Sequence, residues 1–317
     1  MEKTSKFTRI IFIIILATVA LSCESEIDEI PLNEGAPGLS GVLGGYETNY
    51  EEWQGAVALF GGGGSMCTGT LIAPDVVLSA AHCVYLPYRN IDYTKDPGSL
   101  QILGGAKAGE VVYSWAKEVV RNPSYNGMWG TDLSMILLED PVTDVEPHKV
   151  RMKPGPAKGD EGVIVGYGTS TTYGDTETAG IHRAGDTTVL RASGNTFEIG
   201  NPAGGCSGDS GGPVFTMQDG EWVVTGVAST VSGQCSATSG TNEVNVAAFR
   251  TWIENTFKDL TGRDLDGASS DGDTDTDTDA EDSGADDSGS AAGCGCAVTG
   301  AIADQSILDL VIAAVRP

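Results

Sequence analysis

From Val42 to about Lys258 the sequence is divided into short β-like runs, among them Ala56 to Phe60, Thr70 to Ala73, Gly162 to Gly166 and Trp222 to Ala228, by Gly, Pro, Asn and Asp. Runs this short, rich in Val, Ile, Thr and aromatic residues and bounded by turn formers, build sandwiches or barrels rather than helical bundles. Composition agrees: glycine supplies 44 of 317 residues, roughly twice its usual share of about 7 %, and only 20 % of residues are charged. One helix is expected, over Val246 to Leu260. There Phe249, Trp252, Ile253 and Phe257 fall on a single stripe and would close the domain.

The flanks read differently. Lys3, Lys6 and Arg9 precede the apolar run Ile10 to Leu21, the charged and hydrophobic parts of an export signal and too short for a membrane span. Residues 1–22 are therefore expected to be a signal peptide. Val19-Ala20-Leu21-Ser22-Cys23 resembles a bacterial lipobox, which would leave a lipid on Cys23 and tether the chain to a membrane surface without spanning it. The alternative is simple cleavage, leaving a secreted protein with Cys23 as an ordinary thiol. Residues 23–41 are acidic and read as a tether or pro-segment, and 42–263 as the folded domain. Residues 264–293 carry eleven acids and no base, in repeats such as Asp273-Thr274-Asp275, and should form a self-repelling extended linker. The Asp repeat lacks the Gly and terminal Glu of a calcium loop. Residues 294–317, opening on Cys294-Gly295-Cys296, resemble a degenerate surface-sorting tail, with an exposed disulfide or a simple tail as the alternatives.

Net charge is −26, or −15 without the acidic linker, and no basic stripe offsets it, so nucleic acid is excluded as a partner. Seven cysteines occur; setting Cys23 aside leaves an even six in an oxidising compartment, where disulfides form. Structural zinc is rejected, because no C-x2-C pair exists and Cys67 and Cys83 are too far apart for a knuckle.

Three stretches carry chemistry. In Gly208-Asp209-Ser210-Gly211-Gly212-Pro213 a serine sits among glycines that let backbone N–H groups crowd round a developing oxyanion. The shorter G-x-S-x-G motif also suits an α/β-hydrolase, but there the histidine follows the serine. Here His82, His148 and His182 all precede Ser210. The second stretch is Ser79-Ala80-Ala81-His82-Cys83, where a disulfide from Cys83 to Cys67 would pin the loop beside the histidine, worth about 3 kcal/mol. The third is Asp132, entering the apolar run Leu133 to Leu138, where a partly buried carboxylate can orient an imidazole. His148 and His182 have no such setting and read as surface residues.

In the order His82, Asp132, Ser210 these stretches resemble the trypsin-like serine endopeptidases, over Val42 to Lys258. Val42-Leu43-Gly44-Gly45, Trp53-Gln54, Gly166-Tyr167-Gly168 and Trp252-Ile253 add to the resemblance. It implies an all-β fold of two six-stranded antiparallel barrels with a C-terminal helix, the triad between them, and a second disulfide from Cys206 to Cys235. Ser210 would attack the scissile carbonyl of a protein or peptide substrate, His82 would carry the proton and Asp132 would fix its tautomer. The backbone N–H groups of Gly208 and Ser210 would hold the oxyanion, with no metal or cofactor. Ser229 matches the serine that opens the substrate-pairing strand and touches the triad acid.

The resemblance also places Gly204 and Gly205 at the floor of the pocket for P1, the residue on the acyl side of the scissile bond. The carboxylate that captures Arg or Lys is then absent. Val231 and Thr241 stand where glycines would leave the slot wide, which implies an elastase-like preference for small aliphatic P1 residues. Ser40-Gly41, rather than a basic residue, precede Val42, so a trypsin-like activator is not implied for the cut that would free Val42 to pair with Asp209. A noncatalytic binding protein on the same fold is the alternative.

Overall fold

The computed structural model describes residues 42–48, 50–62, 64–127, 129–171, 178–232, 235 and 240–265. The signal peptide, Cys23, the acidic tether, almost all of the acidic linker and the C-terminal tail lie outside them.

The first barrel is built from β2 (Ala56–Gly61), β3 (Met66–Ala73), β4 (Val76–Ser79), β7 (Leu100–Gly104), β8 (Val111–Arg121) and β9 (Ser134–Leu138), closed in the order β2-β3-β4-β9-β8-β7 with every pairing antiparallel. Two short strands, β5 (Tyr85–Leu86) and β6 (Ile91–Asp92), pair outside it. The second barrel uses β10 (Glu161–Gly166), β11 (Arg183–Ser193), β12 (Thr196–Gly200), β13 (Pro213–Gln218), β14 (Glu221–Val231) and β15 (Thr241–Asn245). It runs β11-β10-β13-β14-β15-β12 and closes by β11 pairing β12, with β1 (Tyr46–Glu47) added on β11. These are the two six-stranded antiparallel barrels expected, and closure leaves no ladder edge unpaired within either ring.

Branched apolar residues fill both interiors. Leu71, Val77, Ile102 and Ile136 have no exposure in the first; Ile164, Ile199 and Val214 have none in the second, and Val42 inserts among them. All five residues of β9 are buried, because one face looks into its barrel and α2 (Arg250–Thr261) packs on the strand as well. The expected closing helix is split. Val246–Phe249 forms a 3₁₀ turn whose first N–H groups are met by the Asn245 side chain, which accepts from Ala247 N–H at 3.2 Å. The α-helix then runs to Thr261 and ends at Gly262, whose φ of +70° suits a left-handed C-cap. Ile253 and Phe257 are buried, whereas Phe249 and Trp252 are half-buried. Leu265 is also buried, so the fold continues two residues past the expected boundary at 263.

Reading His148 and His182 as surface residues is incorrect. His182 is 1 % exposed: its Nε2–H faces Trp53 O at 3.2 Å and Nδ1 accepts from Thr48 Oγ1 at 2.5 Å, with Tyr50 and Tyr167 packed edge-on against the ring. His148 is half-buried, its ring centroid 4.5 Å from that of Phe215. Both rings belong to aromatic packing, and burial pushes both pKa values down to about 4.

Candidate active site

The residues expected to work together come from both barrels. The chain leaves β4 at Ser79 and turns into α1 (Ala81–Val84), a single helical turn that carries His82. Two hydroxyls hold that corner: Ser79 Oγ donates to Thr68 O and Ser134 Oγ to Ala80 O, each at 2.8 Å. Asp132 lies two residues before β9. Ser210 lies in the turn before β13, and Ser229 in β14 at the point where the pairing with β15 slips between Ala228 and Thr230.

Asp132, 2 % exposed, is saturated with donors. Its Oδ1 accepts the His82 backbone N–H at 2.8 Å, and its Oδ2 accepts both His82 Nδ1–H and Ser229 Oγ–H at 2.6 Å. With Nδ1–H committed to the carboxylate, Nε2 is left with a free lone pair and can act as a base. The Cys67–Cys83 disulfide forms as expected and joins β3 to the helical turn that carries His82. Cys83 Sγ lies 3.9 Å from His82 Nε2 and 3.4 Å from Ser210 O, which also accepts Thr68 N–H at 2.8 Å.

The serine turn has the backbone its glycines allow. Gly208 is at φ +98°, and a Cβ there would come within 2.8 Å of Gly168 Cα; Gly211 is at φ +81° with Thr68 O and Ser79 Oγ against it. Among the described residues neither Gly208 N–H nor Ser210 N–H donates a hydrogen bond, which leaves two donors of the serine turn free. A cleft of about 750 Å³ runs from His82 along Ser229 and Thr230 to Tyr85, Tyr88 and Tyr125. Cys67, His82 and Cys83 are the one group of potential metal ligands close together among the described residues, but both sulfurs are consumed by the disulfide.

A family model described as Trypsin matches residues 42–253. The chain belongs to the trypsin family. Similarity extends to a snake venom serine protease, CL2, of Trimeresurus stejnegeri, 28 % identical over 221 residues that cover 62 % of this chain and 78 % of the relative.

Cys206 and Cys235 are bonded. Val42 has no exposure, and its backbone N–H reaches Asp209. Asp209 also accepts Gly168 N–H on Oδ1 at 2.8 Å and Cys206 N–H on Oδ2 at 2.9 Å; burial pushes its pKa up to about 6 despite these bonds and the positive charge of Arg183. Leu43 O accepts Gly204 N–H at 3.0 Å, so the same segment supports Gly204. Val231 and Thr241 are register partners of β14 and β15, and Gly205 N–H donates to Thr241 Oγ1 at 2.8 Å, which ties Gly205 to β15.

One residue in this region escaped the sequence reading. Glu243 is buried two positions beyond Thr241. Strand alternation over Thr241–Asn245 puts Thr241, Glu243 and Asn245 on one face, and that pattern was the available signal.

Proposed function

We propose that the chain is an exported serine endopeptidase that cleaves peptide bonds through an acyl-enzyme. Ser210 is the nucleophile, His82 the general base and acid, Asp132 the residue that orients His82, and Gly208 and Ser210 N–H the oxyanion donors. The observation that carries this reading is the Asp132 carboxylate, which engages the His82 ring, the His82 backbone and Ser229 at once and so leaves Nε2 as the basic nitrogen. The P1 slot, narrowed by Val231 and by the bond from Gly205 to Thr241, favours Ala and Val. Cutting between Gly41 and Val42 by another protease frees the amine that pairs with Asp209. Disulfides and the N-terminal sequence support export, with a lipid on Cys23 holding the enzyme at a membrane surface.

A fluorophosphonate probe, combined with sequencing of the mature N-terminus, tests the reading. Labelling of the matured protein, lost in Ser210→Ala and His82→Ala while both still fold, is the expected result. Absence of labelling in a protein that begins at Val42 would leave only a binding role.

A further inference from the structure

Neither carboxyl oxygen of Glu243 has a hydrogen-bond partner among the described residues, and the residue has no exposure. Its position can be built from the ladders. Glu243 is the register partner of Phe197 in β12 and of Ala228 in β14. Ala228 clamps the serine turn, donating to Gly212 O at 2.9 Å and accepting Gly211 N–H at 2.7 Å. Glu243 therefore stands one strand behind Ser210. It shares a strand face with Thr241, whose methyl group packs against Gly205 next to the Asp209 Cβ. The Asp209 charge acts on it directly. The bond from Gly205 to Thr241 thus lies on the strand face that carries this carboxyl, two positions before it.

An ionised carboxylate with no donors costs several kcal/mol in a dry interior, so Glu243 is held as the neutral acid while it is sealed. Burial, and then the Asp209 charge, both act in that direction. A side chain that brings a cation and N–H donors to it reverses the balance, because two unengaged oxygens then gain charge-assisted bonds.

We propose that Glu243 is a specificity-determining residue of the P1 slot, a carboxyl at its inner end that receives an ammonium, amidinium or guanidinium group when the Thr241 side chain is out of the way. Basic P1 residues are then kept out of the native slot by the bulk of Thr241 and its bond to Gly205, and not by the lack of a counter-charge. This rests on the assignment of Gly205, Val231 and Thr241 to the P1 slot.

The test compares wild type, Thr241→Gly and Thr241→Ala, each with and without Glu243→Gln, on peptides differing only in Ala, Phe or Lys at P1. A parallel thermal-shift titration uses benzamidine, an aromatic amidinium, and needs no turnover. Removing the Thr241 side chain should raise the rate on Lys about 10-fold or more and allow benzamidine to raise the melting temperature, and Glu243→Gln should abolish both gains. A gain on Phe without Lys, a Lys gain that survives Glu243→Gln, or equal benzamidine shifts with and without the carboxyl would overturn the proposal. Failure of every form to turn over any peptide counts against the peptidase reading instead, and the benzamidine comparison still decides the role of Glu243.

Discussion

Replacing both Cys67 and Cys83 by alanine separates what the disulfide does for the fold from what it does for the site. The bond closes a segment with a sequence separation of 16. On chain entropy, opening a loop of that size releases the unfolded state by about 3 kcal/mol. For a domain of this size about 1 kcal/mol corresponds to about 2–4 °C, so the melting temperature should fall by about 6–12 °C. Catalysis should suffer less. Ser210 O keeps the Thr68 N–H, and His82 keeps both bonds to Asp132. Well below the new melting temperature, kcat/KM of the mature double variant should stay within about 10-fold of wild type, equivalent to about 1.4 kcal/mol. Urea unfolding followed by tryptophan fluorescence, with peptidase rates measured on the same preparations, checks both figures. An unchanged midpoint would refute the entropy argument. A collapse of activity in a protein that remains folded would show that the sulfur contacts with His82 and Ser210, and not the loop constraint, are what the bond supplies.

Asp132→Asn should lower kcat by about 10⁴-fold, the loss that the wrong histidine tautomer brings in a triad of this type, with little change in KM. Ser229→Ala removes one of three donors to that carboxylate, a charged bond worth about 1.5–3 kcal/mol, so kcat should fall by about 10–100-fold, far less than in Asp132→Asn. Stability should also depend on pH through His182: its pKa drops from 6.5 unfolded to about 4 folded, so the unfolded chain binds more protons between those values and stability is lost as pH falls through them, by about 3 kcal/mol. His148 acts in the same sense. Asp209, raised from 3.8 to about 6, opposes them, since its contribution is present below its unfolded value and lost as pH rises. Urea midpoints from pH 4 to 7 should be flatter in His182→Asn than in wild type, and identical curves would remove His182 as the cause.

The parts of the site that could be read in advance are those whose chemistry lies in local sequence. Glycines around Ser210, the Cys beside His82 and the apolar run after Asp132 each dictate a backbone or an environment within a few residues, and resemblance supplied their assembly across two barrels. What could not be read depends on partners distant in sequence. His182 is buried because Trp53 O and Thr48 Oγ1, more than a hundred residues earlier, meet both ring nitrogens. β8 departs from simple alternation: its buried positions are Ser114, Ala116 and Val119, and its pairing with β9 slips between Ala116 and Glu118. Glu243 shows the same limit from the other side. Its strand face is legible, but the lack of a partner among the described residues for a buried acid depends on what Ala228 and Phe197 place around it.

Under the proposed cleavage after Gly41, Val42 links this interior to activation. In the uncut chain it is a β-branched residue at φ +52°, a left-handed conformation that costs roughly 1–2 kcal/mol for a residue with a Cβ. That torsion is defined by the carbonyl carbon of the preceding residue. Hydrolysis of the Gly41–Val42 bond abolishes it, and with it the strain, while the side chain keeps its place among Ile164, Ile199 and Val214. The same step turns a neutral N–H facing Asp209 into an ammonium, and a charge-assisted bond is about twice as strong as a neutral one. Asp209 needs that charge. Its bonds from Gly168 and Cys206 and the nearby Arg183 do not offset its burial. Both changes favour the cut chain, and the second acts on Asp209, the residue that precedes Ser210.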